Sequence, residues 1–138
     1  MIPYGKQNIN QDDIDAVVDV LNSDFLTQGP QVPRFEEIIA DQVVSKYAVA
    51  VNSATSALHI ACMALELGRG DWLWTSPNTF VASANVGLYC GAKVDFVDIN
   101  PKTYNICPGA LERKLIEAKL NSSLPKVLVP VHLCGQPC

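Results

Sequence analysis

The sequence predicts an α/β fold with a mostly parallel sheet covered on both faces. From residue 47 onward, short runs rich in Val, Ile, Trp and Phe alternate with stretches of helical period, the pattern of strand–helix–strand units. The links between them are short and carry turn residues, as in Gly68-Arg69-Gly70-Asp71 and Asn100-Pro101-Lys102-Thr103. Hydrophobic types make up 49% of 138 residues and the net charge is only −4, so there is apolar material for a core and too little charge for disorder. A chain of this length buries roughly two-thirds of its unfolded surface, without help from disulfides or metal.

The leader up to Ile9 has no clear period. Asn10 is a good helix cap, with Asp13 three residues on. Ile14, Val17, Val18 and Leu21 follow at i, i+3, i+4 and i+7, which predicts a helix with one apolar face. Asn22 to Pro30 carries turn residues around apolar ones and reads as a loop. A second helix places Phe35, Ile38, Ile39 and Val43 on one side and Glu36, Glu37 and Asp41 on the other. Tyr47 to Val51 reads as a strand buried on both sides. Ser53 or Thr55 is placed to cap a helix running to Leu67, and Gly68 to Asp71 ends it. Further strands are expected at Trp72 to Ser76, Lys93 to Val97 and Lys126 to Val131. Between them lie a helix from about Thr79 to Tyr89 and one opened by Pro108, with Leu111, Leu115 and Ala118 inward. The segment His132 to Cys138 reads as the loop into another element.

Composition also excludes function classes. Fourteen acids outnumber ten bases, and Arg34, Arg69 and Arg113 are far apart, which argues against nucleic acid as a partner. No segment approaches the eighteen or so apolar residues of a membrane span. Asp12, Asp13, Asp15 and Asp19 stand where a secretory signal would need an apolar stretch. A cytoplasmic protein is therefore expected, with its five cysteines as reduced thiols.

In a parallel sheet, ligands bind beyond the carboxyl ends of the strands. Val51-Asn52-Ser53-Ala54-Thr55-Ser56 is expected to be such a place. Free amides and the positive end of a helix dipole suit a phosphate dianion, small side chains let the backbone come close, and the Thr55 and Ser56 hydroxyls add donors. The same residues also suit a plain helix cap. Thr75 to Val81 repeats the arrangement, with Phe80 able to stack on a planar ring or to pack in the core. No dinucleotide G-x-G-x-x-G follows a strand, and no G-x-x-x-x-G-K-[ST] run occurs. His59 reads as structural. His132, Cys134 and Cys138 have the wrong spacing for structural zinc, so no metal is expected. Cys134 with His132 lacks the third, orienting group of a nucleophilic site.

Asn52 to Leu58, Thr75 to Ser83, Lys93 to Asp98 and Val129 to Pro137 together resemble the DegT/DnrJ/EryC1/StrS family of sugar aminotransferases, which use pyridoxal 5'-phosphate (PLP). The resemblance runs from residue 2 to the end. Ile2 to Lys6, Leu26 to Gly29 and Asn78 to Asp98 look closest to the pseudaminic-acid branch. It implies the front part of the large domain of a fold-type I PLP-dependent transferase, a partial three-layer sandwich. Residues 1–30 would form the N-terminal helix and substrate-side loop, and 31–138 an incomplete PLP-binding domain. Ala54, Thr55 and Phe80 match the cofactor positions, the first two at the phosphate and the last on the ring. Tyr4, Asp24, Phe25, Leu26, Thr27 and Ala54 match positions lining the sugar-nucleotide site.

The implied reaction moves an amino group from glutamate to C4 of a UDP-linked 4-keto-6-deoxy-N-acetylhexosamine, in a homodimer with sites at the subunit interface. The match departs from the family in one respect. None of Lys6, Lys46, Lys93, Lys102, Lys114, Lys119 and Lys126 matches the Schiff-base lysine, so the chain is expected to be an N-terminal portion with no catalytic residue of its own. Two other readings stay open: a non-catalytic α/β domain that binds a phosphorylated small molecule, and a thiol or metal protein using Cys134 and Cys138.

Overall fold

A computed structural model describes Pro3 and residues 5–138. The chain packs as two compact units, residues 1–50 and 51–138.

The first unit holds α1 (Gln11–Leu21) and α2 (Gln31–Gln42). Asn10 caps α1 through a reciprocal box. Its side chain accepts from the Asp12 and Asp13 amides at 2.8 and 3.2 Å, and its own amide donates to the Asp13 carboxylate at 2.9 Å. The apolar faces read from the periodicity exist, but Ile14, Val17, Val18, Leu21, Phe35 and Ile38 on them remain exposed. The strand expected at Tyr47–Val51 does not form. Those residues pair with no ladder, and Tyr47 and Val49 are 73% and 69% exposed. A strand exists only by pairing, and no neighbour reaches this run among the described residues. It is held locally, by the Ala50 amide donating to Glu36 Oε1 at 2.8 Å and the Ser45 hydroxyl donating to the Tyr47 carbonyl at 2.7 Å.

The second unit is a three-stranded parallel sheet in the order β2-β1-β3, from β1 (Trp72–Thr75), β2 (Lys93–Phe96) and β3 (Val127–Val129). Trp72 pairs with Lys93, and Leu73 with both Val94 and Val127. Because side chains alternate across a strand, Leu73 faces one way and Trp72 and Trp74 the other. Leu73 packs with Cys62 and Leu58 of α3 (Ala54–Ala64) and Val86 of α4 (Ala82–Tyr89). Trp74 packs with Val97, Ile106 and Ala118, with Leu111 and Leu115 against them, all but Val97 and Ile106 on α5 (Pro108–Leu120). The result is helix, sheet, helix, the partial three-layer arrangement expected. Gly87 lets α4 lie on the sheet: a Cβ there would stand 2.9 Å from Val94 Cγ2, closer than carbon atoms approach, and 3.1 Å from Leu73 Cβ, tighter than most such contacts.

Helix ends depart from expectation in a consistent way. α3 stops at Ala64 rather than Leu67, because Glu66 turns left-handed (φ 55°) while its amide and that of Leu67 return to Met63 and Cys62. This is a Schellman closure. α2 closes likewise through Val44 and α5 through Ser122, at φ 54° each, and α4 through Gly91. α4 begins at Ala82, three residues later than expected, so residues 77–81 form a turn ahead of it. The last strand is shorter than expected, and in the tail beyond it Leu133 opens a single 3-10 turn to Gly135.

Candidate functional site

α3 ends next to the start of β1, linked by seven residues, and packs against the sheet and α4. Its N-terminus therefore lies toward the carboxyl end of the sheet, the end from which residues 76–81 lead into α4. The two candidate segments share that end.

At the start of α3 the Ser53 hydroxyl accepts from the Ser56 amide at 3.2 Å, and the Ser53 carbonyl accepts from Ala57. The Ser56 hydroxyl donates to Asn52 Oδ1 at 2.9 Å and lies 3.0 Å from Ser53 Oγ. Ser53 is thus the cap, not Thr55, and the Ser56 hydroxyl is already engaged. The amides of Ala54 and Thr55, and the Thr55 hydroxyl, make no hydrogen bond among the described residues. Two free first-turn donors, a free hydroxyl and the helix dipole converge there, which is what a phosphate dianion takes.

Phe80 sits on the turn before α4 and is 74% exposed, so it does not pack in the core. Thr79 and Ser83 join hydroxyls across the turn at 2.9 Å, and the Ser83 amide donates to the Phe80 carbonyl at 3.0 Å. At the head of the turn the Thr75 hydroxyl donates to the Val129 carbonyl at 2.8 Å, tying β1 to β3, while the buried Ser76 hydroxyl has no partner among the described residues. An exposed ring, an unsatisfied hydroxyl and a free anion cradle at one end of the sheet fit a phosphorylated planar cofactor such as PLP.

Of the other predicted positions, Asp24–Thr27 belong to the first unit. There the Ser23 hydroxyl organises the loop by accepting from the Phe25 amide at 3.3 Å and donating to the Val20 carbonyl at 2.8 Å. Phe25 and Leu26 are exposed, and Phe25 Cβ would stand 2.8 Å from a Cβ at position 29, so the loop closes only over a glycine. Tyr4 lies outside the described residues.

Two ion pairs, Lys126–Asp71 and Lys114–Asp95, form elsewhere among the described residues. At the amino end of the sheet, Lys126 Nζ donates to the Glu66 carbonyl at 2.6 Å and pairs with Asp71 at 3.2 Å. The Gly68 amide, then Lys126, hold the Asp71 carboxyl below its ordinary range. Lys93 lies over the Trp72 ring, 5.2 Å from its centre. A cleft of about 450 Å³ between the end of β2 and α5 contains Asp95, Arg113, Lys114 and Glu117. Burial works to raise the Asp95 carboxyl, but the Lys114 hydrogen bond, the Phe96 amide and the Lys114 charge hold it low. That cleft opens on the α5 face rather than between α3 and the Phe80 turn. The Cys62 thiol is raised by burial and by Cys90 nearby. His132 Nδ1 meets Cys138, with Sγ at 3.1 Å, rather than Cys134.

Sequence reasoning missed Ser76 and Asn105. Nothing in the pattern marked Asn105, which is 4% exposed and bonds the residue 133–137 loop from 28 to 32 positions away.

Residues 7–138 match the family model for the DegT/DnrJ/EryC1/StrS aminotransferase family. The chain is 43% identical over 120 residues to the UDP-4-amino-4,6-dideoxy-N-acetyl-beta-L-altrosamine transaminase of Campylobacter jejuni, covering 87% of this chain and 30% of that protein. It superposes on the PLP form of Spr1654 from Streptococcus pneumoniae, a protein named as a sugar aminotransferase, with a TM-score of 0.88 at 33% identity, over 99% of this chain and 33% of that one. Helicobacter pylori PseC, an aminotransferase of pseudaminic-acid biosynthesis, gives 0.86 at 34% identity, over 99% and 35%. The chain spans about a third of the length of these relatives. With the matched segment covering nearly all of its length, the chain belongs to the DegT/DnrJ/EryC1/StrS aminotransferase family.

Proposed function

We propose that the chain is the cofactor-phosphate and ring-platform portion of a PLP-dependent aminotransferase that moves an amino group from glutamate to C4 of a UDP-linked 4-keto-6-deoxy-N-acetylhexosamine, working in the cytoplasm as a homodimer. The supporting observation is the pairing, at one end of the sheet, of the unbonded Ala54 and Thr55 amides with the exposed Phe80 ring. The named transaminase of Campylobacter jejuni and PseC support the sugar, since both are similar to this chain along most of it.

PLP, when bound, supplies the electron sink through which an amino group changes carbon atoms. The residues of this chain bind and orient. The Ala54 and Thr55 amides and the Thr55 hydroxyl hold the phosphate, Phe80 covers one face of the ring, and Tyr4 with Asp24–Thr27 takes the sugar nucleotide. The Asp24–Thr27 loop and the remaining residues thus divide by role as 1–30 and 31–138. No lysine of this chain is assigned to the cofactor aldehyde, so the 138 residues alone are proposed to be inactive.

The test is titration of the chain with PLP. Wild type should bind saturably, Thr55→Ala should bind roughly tenfold more weakly, the worth of a hydrogen bond to a charged group, and borohydride should leave no stoichiometric adduct on one lysine. Unchanged affinity in Thr55→Ala would reduce the helix start to a cap. A single modified lysine would overturn the proposed inactivity. A plain phosphate-binding domain would take inorganic phosphate as well as PLP; the exposed Phe80 ring favours PLP.

A further inference from the structure

The excursion between β2 and α5 closes on itself. The Asn100 amide donates to the Asn105 carbonyl at 2.8 Å, Ile99 and Ile106 form an antiparallel bridge, and Tyr104 is left-handed at φ 59°. This brings the buried Asn105 side chain onto the loop that follows β3. Its Nδ2 donates to the Gln136 and Pro137 carbonyls at 2.9 and 3.2 Å, and its Oδ1 accepts from the Leu133 amide at 3.1 Å. Two carbonyls on one side and an N–H on the other fix the amide orientation. The held loop brings the Cys138 amide to 3.1 Å from His132 Nδ1. A main-chain N–H can only donate, so that nitrogen accepts, and the neutral ring carries its hydrogen on Nε2. The Cys138 thiol can then turn its hydrogen to the Val131 carbonyl, 3.2 Å away.

We propose that Asn105 is a positioning residue for the carboxyl end of β3: by clamping residues 133, 136 and 137 it seats the Cys138 amide on His132 Nδ1, and so presents the exposed His132 as a fixed Nε2–H donor to an acceptor atom of the ligand bound at that end. The last clause rests on the ligand site proposed above; the clamp and the tautomer do not. A donor on this loop would add a neutral hydrogen bond to the charged ones offered by the start of α3.

The chain has two histidines, so long-range proton–nitrogen correlation of the labelled protein, with His59→Gln for assignment, reads His132 directly. Wild type should show a pyridine-like Nδ1 and a pyrrole-like Nε2. In Asn105→Ala the two His132 nitrogens should move toward each other as both tautomers populate. The Leu133 and Cys138 amides should exchange roughly tenfold faster, the worth of a typical hydrogen bond, and His59 should be unchanged. A hydrogen on Nδ1 in the wild type overturns the proposal outright, as does a folded Asn105→Ala with unchanged His132 shifts. Should that variant not fold, Asn105→Asp keeps the acceptor for Leu133 and loses both donors, and is read in the same way. On adding PLP, movement of the Ala54 and Thr55 amides together with His132 Nε2 supports the ligand clause. Movement of the amides alone overturns that clause and leaves the site standing. Movement of neither overturns both the site and the clause, with the tautomer result intact.

Discussion

The two ends of the sheet are built differently. At the amino end, Asp71 joins everything that starts there: its carboxylate accepts from the Gly68 amide at 2.9 Å and pairs with Lys126, and its carbonyl accepts from the Lys93 amide at 2.9 Å. The Lys126 amide in turn donates to the Trp72 carbonyl at 2.9 Å. At the carboxyl end, among the described residues, two helix amides are unbonded and a buried hydroxyl has no partner, and an aromatic ring stands in solvent. One end satisfies its polar groups internally and holds the strands in register. The other leaves donors open among the described residues, the feature on which the proposed binding role rests.

That contrast can be broken or sharpened by substitution. Leu73→Ala, in the core between the two ends, should cost about 2–5 kcal/mol by chemical denaturation, because Leu73 is fully buried and a cavity would remain. It should weaken both ends together. Ser53→Ala removes the α3 cap and should cost about 1 kcal/mol, whereas Thr55→Ala should stay within about 0.5 kcal/mol of wild type while losing PLP affinity. Equal destabilisation by the two would erase the distinction between cap and cradle. The smallest effect is expected at Asp71. Its carboxyl is held low by Gly68 and Lys126, so its contribution is complete above the ordinary carboxylate range near pH ~4 and is lost as pH falls through its folded value. Asp71→Asn should therefore flatten the acid limb of a melting-temperature profile between neutral pH and about pH 3, leaving PLP binding unchanged.

Much of this was legible in the sequence, because strand and helix periods are local. The Asn10 cap, the Ile14–Leu21 face, the three strands from Trp72 onward and the inward Leu111, Leu115 and Ala118 all follow from spacing. The end of α3 was not legible, since glycine usually marks a left-handed closing residue and Glu66 takes that role here. The Tyr47–Val51 run has the composition of a strand, but pairing is a property of the neighbour and cannot be read from the run itself. At the site, small polar residues after an apolar run pointed to the start of α3. Which hydroxyl was free depended on Asn52 occupying Ser56, a contact that spacing does not reveal. Asn105 acts across 28 to 32 residues, and no local pattern encodes such a reach.

Gly87 has a consequence for a ring it never touches. With 2.9 Å between its missing Cβ and Val94 Cγ2, the helix rests on the sheet with no spacer at all, and the same helix carries the Phe80 turn at its other end. A single methyl group added at this back surface would tilt the helix like a shim under a beam, and the Phe80 ring would swing away from the start of α3 while every residue there kept its identity.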